Sequence, residues 1–105
     1  MERPEVIKIF ITAILQGPGS QEQPNGSTDV IVLLNDGHKY TASFFSYAFI
    51  EQVCKRNKLS GEFLGGKYFW AKNIVLVEEC SADIINPVVT DIIEEGEFIE
   101  VFRKL

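Results

Sequence analysis

Apolar residues alternate at period two over residues 5–15 (EVIKIFITAIL), placing Ile7, Ile9, Ile11, Ala13 and Leu15 on one face. The opposite face carries Lys8 and Thr12 but also Val6, Phe10 and Ile14, which predicts a strand covered on both sides and central in its sheet. Residues 16–27 (QGPGSQEQPNGS) hold no large apolar side chain and read as a flexible polar surface loop. Thr28 to Leu34 and His38 to Phe45 are two β-rich runs flanking Asn35-Asp36-Gly37, where Gly37 supplies the left-handed position of a tight hairpin. Ser46 is placed to cap a helix over 47–57, whose stripe is Phe49, Ile50, Val53 and Cys54. Asn57 to Gly66, with three glycines, closes it.

Lys67 to Val77 (KYFWAKNIVLV) predicts a long strand, interrupted by a bulge or bend at Lys72-Asn73. The clearest helical period follows, with Ile84, Ile85, Val88, Val89, Ile92 and Ile93 forming one stripe behind a candidate cap at Ser81. Pro87 either starts this helix late or lies inside a longer one, and Gly96 fits its C-terminus. Glu97 to Phe102 (EFIEVF) reads as a last strand. The expected fold is therefore α+β in the order βββαβαβ, an antiparallel-dominated sheet with two helices on one face.

Length and composition narrow the class. At 105 residues the chain is a single domain, 1–105, and 46% hydrophobic with 24% charged residues is ordinary for a globular protein. No apolar run approaches the ~20 residues that span a bilayer, and Ile9 to Leu15 ends in Gln16-Gly17-Pro18 with no signal-peptide cleavage pattern. Cys54 and Cys80 lie in apolar-patterned segments and are too few for a disulfide framework. A cytoplasmic protein without a membrane partner is expected.

Several chemistries lack their residues. His38 is the single histidine and neither cysteine belongs to a CxxC pair, so no metal site is expected. The glycines at 61, 65 and 66 precede a strand-like run rather than a helix, so no phosphate loop or other cofactor site is expected. Glu78-Glu79 and Glu94-Glu95 are adjacent carboxylates at element ends, where solvation explains them, and no catalytic residue is assigned.

Charge and aromatics are distributed unevenly. Residues 55–77 carry Lys55, Arg56, Lys58, Lys67 and Lys72 against Glu62 alone, whereas residues 78–100 carry eight carboxylates and no Lys or Arg. The two segments either neutralise each other in space or leave an acidic surface that steers association. With a net charge of −5, nucleic acid is not an expected partner. Phe44-Phe45-Ser46-Tyr47 and Tyr68-Phe69-Trp70 place aromatics on both faces of extended segments.

The run Asp36-Gly37-x-x-Tyr40-x-Ala42-x-Phe44-Phe45, together with Gly66-Lys67-Tyr68-Phe69-Trp70-Ala71 and Ile93-Glu94-Glu95-Gly96-Glu97-Phe98, resembles a group of small bacterial proteins of roughly this length. The resemblance spans residues 30–102 and brings no assigned activity, so it implies no functional residue. Small acidic bacterial domains include immunity proteins that block a toxin, an analogy of size and charge rather than of motif.

These patterns support a non-enzymatic domain that engages a basic protein partner, such as a toxin, through Asp91, Glu94, Glu95, Glu97 and Glu100. The alternative is a small-molecule binder or minor enzyme with a pocket lined by Tyr40, Phe45, Tyr68 and Trp70. A third possibility is a homodimer formed through a sheet edge.

Overall fold

A computed structural model of the chain describes residues 5–12 and 25–105. Its elements are β1 (Val6–Ile11), β2 (Ser27–Leu34), β3 (Lys39–Ser46), α1 (Tyr47–Ser60), α2 (Glu62–Gly66), β4 (Ile74–Val77), α3 (Ala82–Glu94), α4 (Phe98–Val101) and β5 (Arg103–Lys104). The strands run β1-β2-β3-β4, and β5 also pairs with β3. All pairs are antiparallel except β3 with β4. This is the expected α+β class with an antiparallel-dominated sheet.

The hairpin sets the register from which the rest follows. Gly37 takes φ 87°, the Leu34 N–H donates to the His38 carbonyl at 3.0 Å, and β2 faces β3 from Leu33↔Lys39 to Ser27↔Phe45. Period-two alternation then puts Val30, Val32, Leu34, Ala42 and Phe44 on one face, all buried. Ile85, Val89 and Ile93 of α3 cover that face, joined by Phe98 and Phe102. The α3 stripe is as its spacing predicts, and the helix takes the longer option, with Pro87 inside.

Ser46 ends β3 and starts α1 as expected. Its buried Oγ accepts the Phe49 N–H at 3.0 Å, satisfying one of the orphan donors of the first turn. Ser46→Ala should therefore lower stability by about 1–2 kcal/mol. Equilibrium denaturation should show an earlier midpoint with an unchanged slope; an unmoved midpoint means the cap contributes nothing.

Four expectations are corrected. First, β1 pairs with β2 alone among the described residues, so it is an edge strand and not a central one. Apolar residues on both its faces misled the pattern: the register shifts between Val6 and Lys8, Ile7 of the first face is left 61% exposed, and the Lys8 ammonium covers Phe10 of the second at 5.0 Å. Residues 13–15 of that expected strand, and most of the expected loop 16–27, lie outside the described residues.

Second, only Ile74–Val77 of the expected strand 67–77 is extended. Asn73 sits at φ 58°, its side-chain N–H donating to the Val101 carbonyl at 2.8 Å, and this turn ends the extended run. Before it, α2 is a left-handed turn rather than a plain glycine loop, with Phe63 at φ 51° and Leu64 at φ 54°.

Third, the expected strand Glu97–Phe102 is mostly the helical turn α4, and only Arg103–Lys104 pairs with β3. An extended segment would turn Phe98, Glu100 and Phe102 to the same side and bury a carboxylate. One helical turn places Phe98 and Phe102 together, stacked at 4.6 Å, and leaves Glu100 exposed.

Fourth, the helices do not share a face. α3 covers the Phe44 side, whereas Phe49 of α1 meets Phe45 of the reverse side at 4.8 Å.

Candidate functional site

The carboxylates of the acidic segment are gathered at one place. Asp91 and Glu94 belong to the end of α3, Glu95 follows at its C-cap, Gly96 turns the chain at φ 76°, and Glu97 and Glu100 flank the first residues of α4. All five side chains are exposed. The last turn of α3 carries no basic residue, so Glu94 and Glu95 stand on the negative end of the helix dipole, an arrangement that costs about 0.3–1 kcal/mol each. Ile99 lies between Glu97 and Glu100 and is 66% exposed.

Among the described residues, the basic segment forms no ion pair with Asp91, Glu95, Glu97 or Glu100. Lys55 pairs with Glu51 inside α1 at 3.2 Å.

The aromatic pocket expected from Tyr40, Phe45, Tyr68 and Trp70 does not assemble. Tyr40 and Phe45 are five residues apart on β3 and so point to opposite faces. Tyr40 meets Phe98 edge-on at 5.2 Å beside the core, whereas Phe45 contacts Phe49 and Phe69 on the reverse side. Tyr68 packs against Phe63 of the left-handed turn, and Trp70 is 71% exposed. The turn itself packs on α1: Asn57 is 2% exposed, and its Nδ2 has no hydrogen-bond partner among the described residues.

A feature that sequence patterns did not reveal lies at the outer edge of β3. This edge is shared by two short strands: β5 pairs with Tyr40 and Thr41, and β4 takes over from Ser43. Between their ends is a notch of about 230 Å³, lined by Asp29, Thr41, Ala42, Ser43, Lys72, Asn73 and Arg103. A second cleft of about 450 Å³, reaching Tyr40, Ile99, Glu100 and Lys104, shares Lys72, Asn73 and Arg103 with it. The hairpin register sets Asp29 opposite Ser43, whose hydroxyl donates to Asp29 Oδ1 at 2.8 Å. That pair was legible from the turn; the notch was not, because it depends on where β4 and β5 dock.

No protein-family model matches the chain, and neither does any curated protein or solved structure. The resemblance to small bacterial proteins therefore rests on its motifs alone.

The remaining reactive side chains are held apart. His38 donates its backbone N–H to Asp36 Oδ1 at 2.9 Å and sets Nδ1 3.0 Å from Oδ2, and that backbone hydrogen bond holds the Asp36 carboxyl below its usual value. Cys80 donates its thiol toward the carbonyls of Gly26 and Phe44, each at 3.3 Å, and burial raises its pKa. Such a thiol is a poor nucleophile. Cys54 is a free, partly buried thiol. Among the described residues, no group of three or more His, Cys, Asp or Glu side chains is placed to hold a metal, and no helix is long and apolar enough to cross a membrane.

Proposed function

We propose that this chain is a non-catalytic binding domain that engages a basic protein partner through the surface from Asp91 to Glu100. The observation that carries the reading is the segregation of charge: exposed carboxylates crowd the negative end of α3, and Asp91, Glu95, Glu97 and Glu100 form no ion pair with the lysines of residues 55–72 among the described residues. The arrangement opposes the local helix dipole, and departures from such local rules concentrate where a sequence serves binding. Exposed Ile99 among the carboxylates adds an apolar contact that a purely solvating acidic face does not need. Small size and acidity are also features of immunity proteins, whose partners are toxins, and a toxin with a basic surface is the partner class that fits.

The test is co-purification from cells that carry the gene, followed by a binding titration with the protein recovered. A single basic protein should come down in stoichiometric amount and be released as salt rises, since the screening length falls from about 10 Å at 0.1 M to 3 Å at 1 M. Glu95→Lys/Glu97→Lys should weaken the complex by roughly ten-fold or more, mainly by slowing association, whereas Lys55→Glu/Lys58→Glu should not weaken it. An affinity indifferent to salt and to reversal of the acidic pair removes the proposal.

A further inference from the structure

The notch on the β3 edge holds charges of both signs that do not pair with each other. Directly opposed residues of neighbouring strands point to the same face, so the registers Asp29↔Ser43 and Thr41↔Arg103 aim these four side chains at one side of the sheet. Lys72 and Asn73 close the cavity from the turn before β4. Among the described residues neither Lys72 nor Arg103 forms a salt bridge, although Asp29 lines the same cavity. Cations and a carboxylate therefore line one cavity without an ion pair between them.

The hydrogen-bonding capacity is divided in the same way. The Thr41 hydroxyl spends its proton on the Val30 carbonyl at 2.9 Å, and the Ser43 hydroxyl spends its own on Asp29. Both oxygens are left as acceptors beside the carboxylate. Asn73 is fixed through its side chain to Val101 and through its carbonyl to the Ser43 N–H at 2.9 Å, so the wall of the notch is held by both neighbouring elements. The donors that remain are the Lys72 ammonium and the Arg103 guanidinium, the latter shaped to grip a carboxylate with two parallel bonds.

We infer that this notch is a binding site for a small dipolar molecule carrying both a carboxylate and an ammonium group, such as a free α-amino acid. The carboxylate meets Arg103 and Lys72, and the ammonium meets Asp29 with the Thr41 and Ser43 oxygens. A simple anion gains the first set of contacts but is repelled by Asp29; a simple cation has the converse difficulty. The volume, about 230 Å³, is below the roughly 300–1,000 Å³ of pockets for drug-sized ligands, which suits a ligand of this class. The site adjoins the acidic surface through the cleft that reaches Glu100, but its own contacts do not depend on a protein partner.

The experiment is a titration of the ¹⁵N-labelled full chain followed by NMR, with free amino acids, acetate, methylammonium and inorganic phosphate as separate probes. At least one amino acid should shift the amides of Thr41, Ser43, Asn73 and Arg103 saturably at millimolar concentration. Acetate, methylammonium and phosphate should each bind about ten-fold more weakly or worse, the factor expected when one charge-assisted contact set is lost. Arg103→Gln and Asp29→Asn should each weaken the amino acid by a similar factor. Lys72→Gln, outside every strand, provides the same reading if either strand variant disturbs the fold. Acetate or phosphate binding as tightly as the best amino acid overturns the proposal, as does the lack of a saturable shift with every probe.

Discussion

Replacing Phe44 by alanine should destabilise the fold by about 3–5 kcal/mol, the range for deleting a large buried aromatic. The ring is fully buried at the centre of β3 and forms one rung of an aromatic ladder. Phe44 contacts Phe102 at 6.2 Å, Phe102 stacks on Phe98 at 4.6 Å, and Phe98 meets Tyr40 edge-on at 5.2 Å. The ladder joins the β5–β3 pairing and the Asn73–Val101 bond in docking α4 and β5 onto the sheet, so collapse of the cavity left by Phe44→Ala would have to move a segment held at several points. A domain of this size has a total stability of only about 5–15 kcal/mol, so the loss is a large share of it.

The control is the next residue along the strand. Phe45 is only partly buried and its neighbours are Phe49 and Phe69 on the reverse side, so Phe45→Ala should cost clearly less. Guanidinium unfolding of both variants gives the comparison. Equal losses would mean that the sheet does not bury the Phe44 face in preference to the other.

Gly66→Ala is expected to cost about 2–5 kcal/mol, for two separable reasons. Gly66 lies at φ 78°, where an L-residue loses about 1–2 kcal/mol against glycine. A methyl group there would also overlap the backbone carbonyl oxygen of Cys54 in α1, an atom that cannot move without breaking into the helix, and overpacking of this kind adds about 1–3 kcal/mol. Gly65 separates the two effects, since it sits at φ 68° with nothing near its would-be Cβ. Gly65→Ala should show the backbone cost alone. If the two alanine variants have the same denaturation midpoint, the close approach between α2 and α1 is not tight, and the left-handed turn is anchored by its own conformation only.

Both effects bear on how the surface is presented. The turn that Gly66 closes carries Leu64 and Phe63 in left-handed conformations and positions Tyr68 beside Phe63. Phe69, itself packed on Phe63, covers Phe45 together with Phe49 of α1, so the reverse side of β3 is shielded by that helix and a ring cluster from the turn. A change at Gly66 should therefore loosen the 62–70 segment while leaving the α3 side of the sheet intact.

By itself the sequence determined the elements whose evidence is local. Asn35-Asp36-Gly37 specified the hairpin because a tight turn needs the left-handed residue that glycine supplies, and the hairpin in turn fixed which β2 and β3 residues are buried. Ser46 specified the start of α1 because the helix needs an acceptor for its first N–H groups. The six-residue stripe from Ile84 to Ile93 specified α3 because no other period buries all of those side chains. The exposed carboxylates from Asp91 to Glu100 were legible for the same reason, since charges are kept at the surface unless paired.

Tertiary structure alone decided everything that turned on competition between distant segments. Strand β1, apolar on both faces, was left at a sheet edge among the described residues, where a register shift freed Ile7 and a lysine covers Phe10. Asn73, held at positive φ by its bond to Val101, cut a strand short that its own residues favoured. Phe98 and Phe102 took a helical turn because stacking them together kept Glu100 in water. The notch beside Arg103 exists only because β4 and β5 divide one edge of β3, and no local pattern encodes where two short strands will stop.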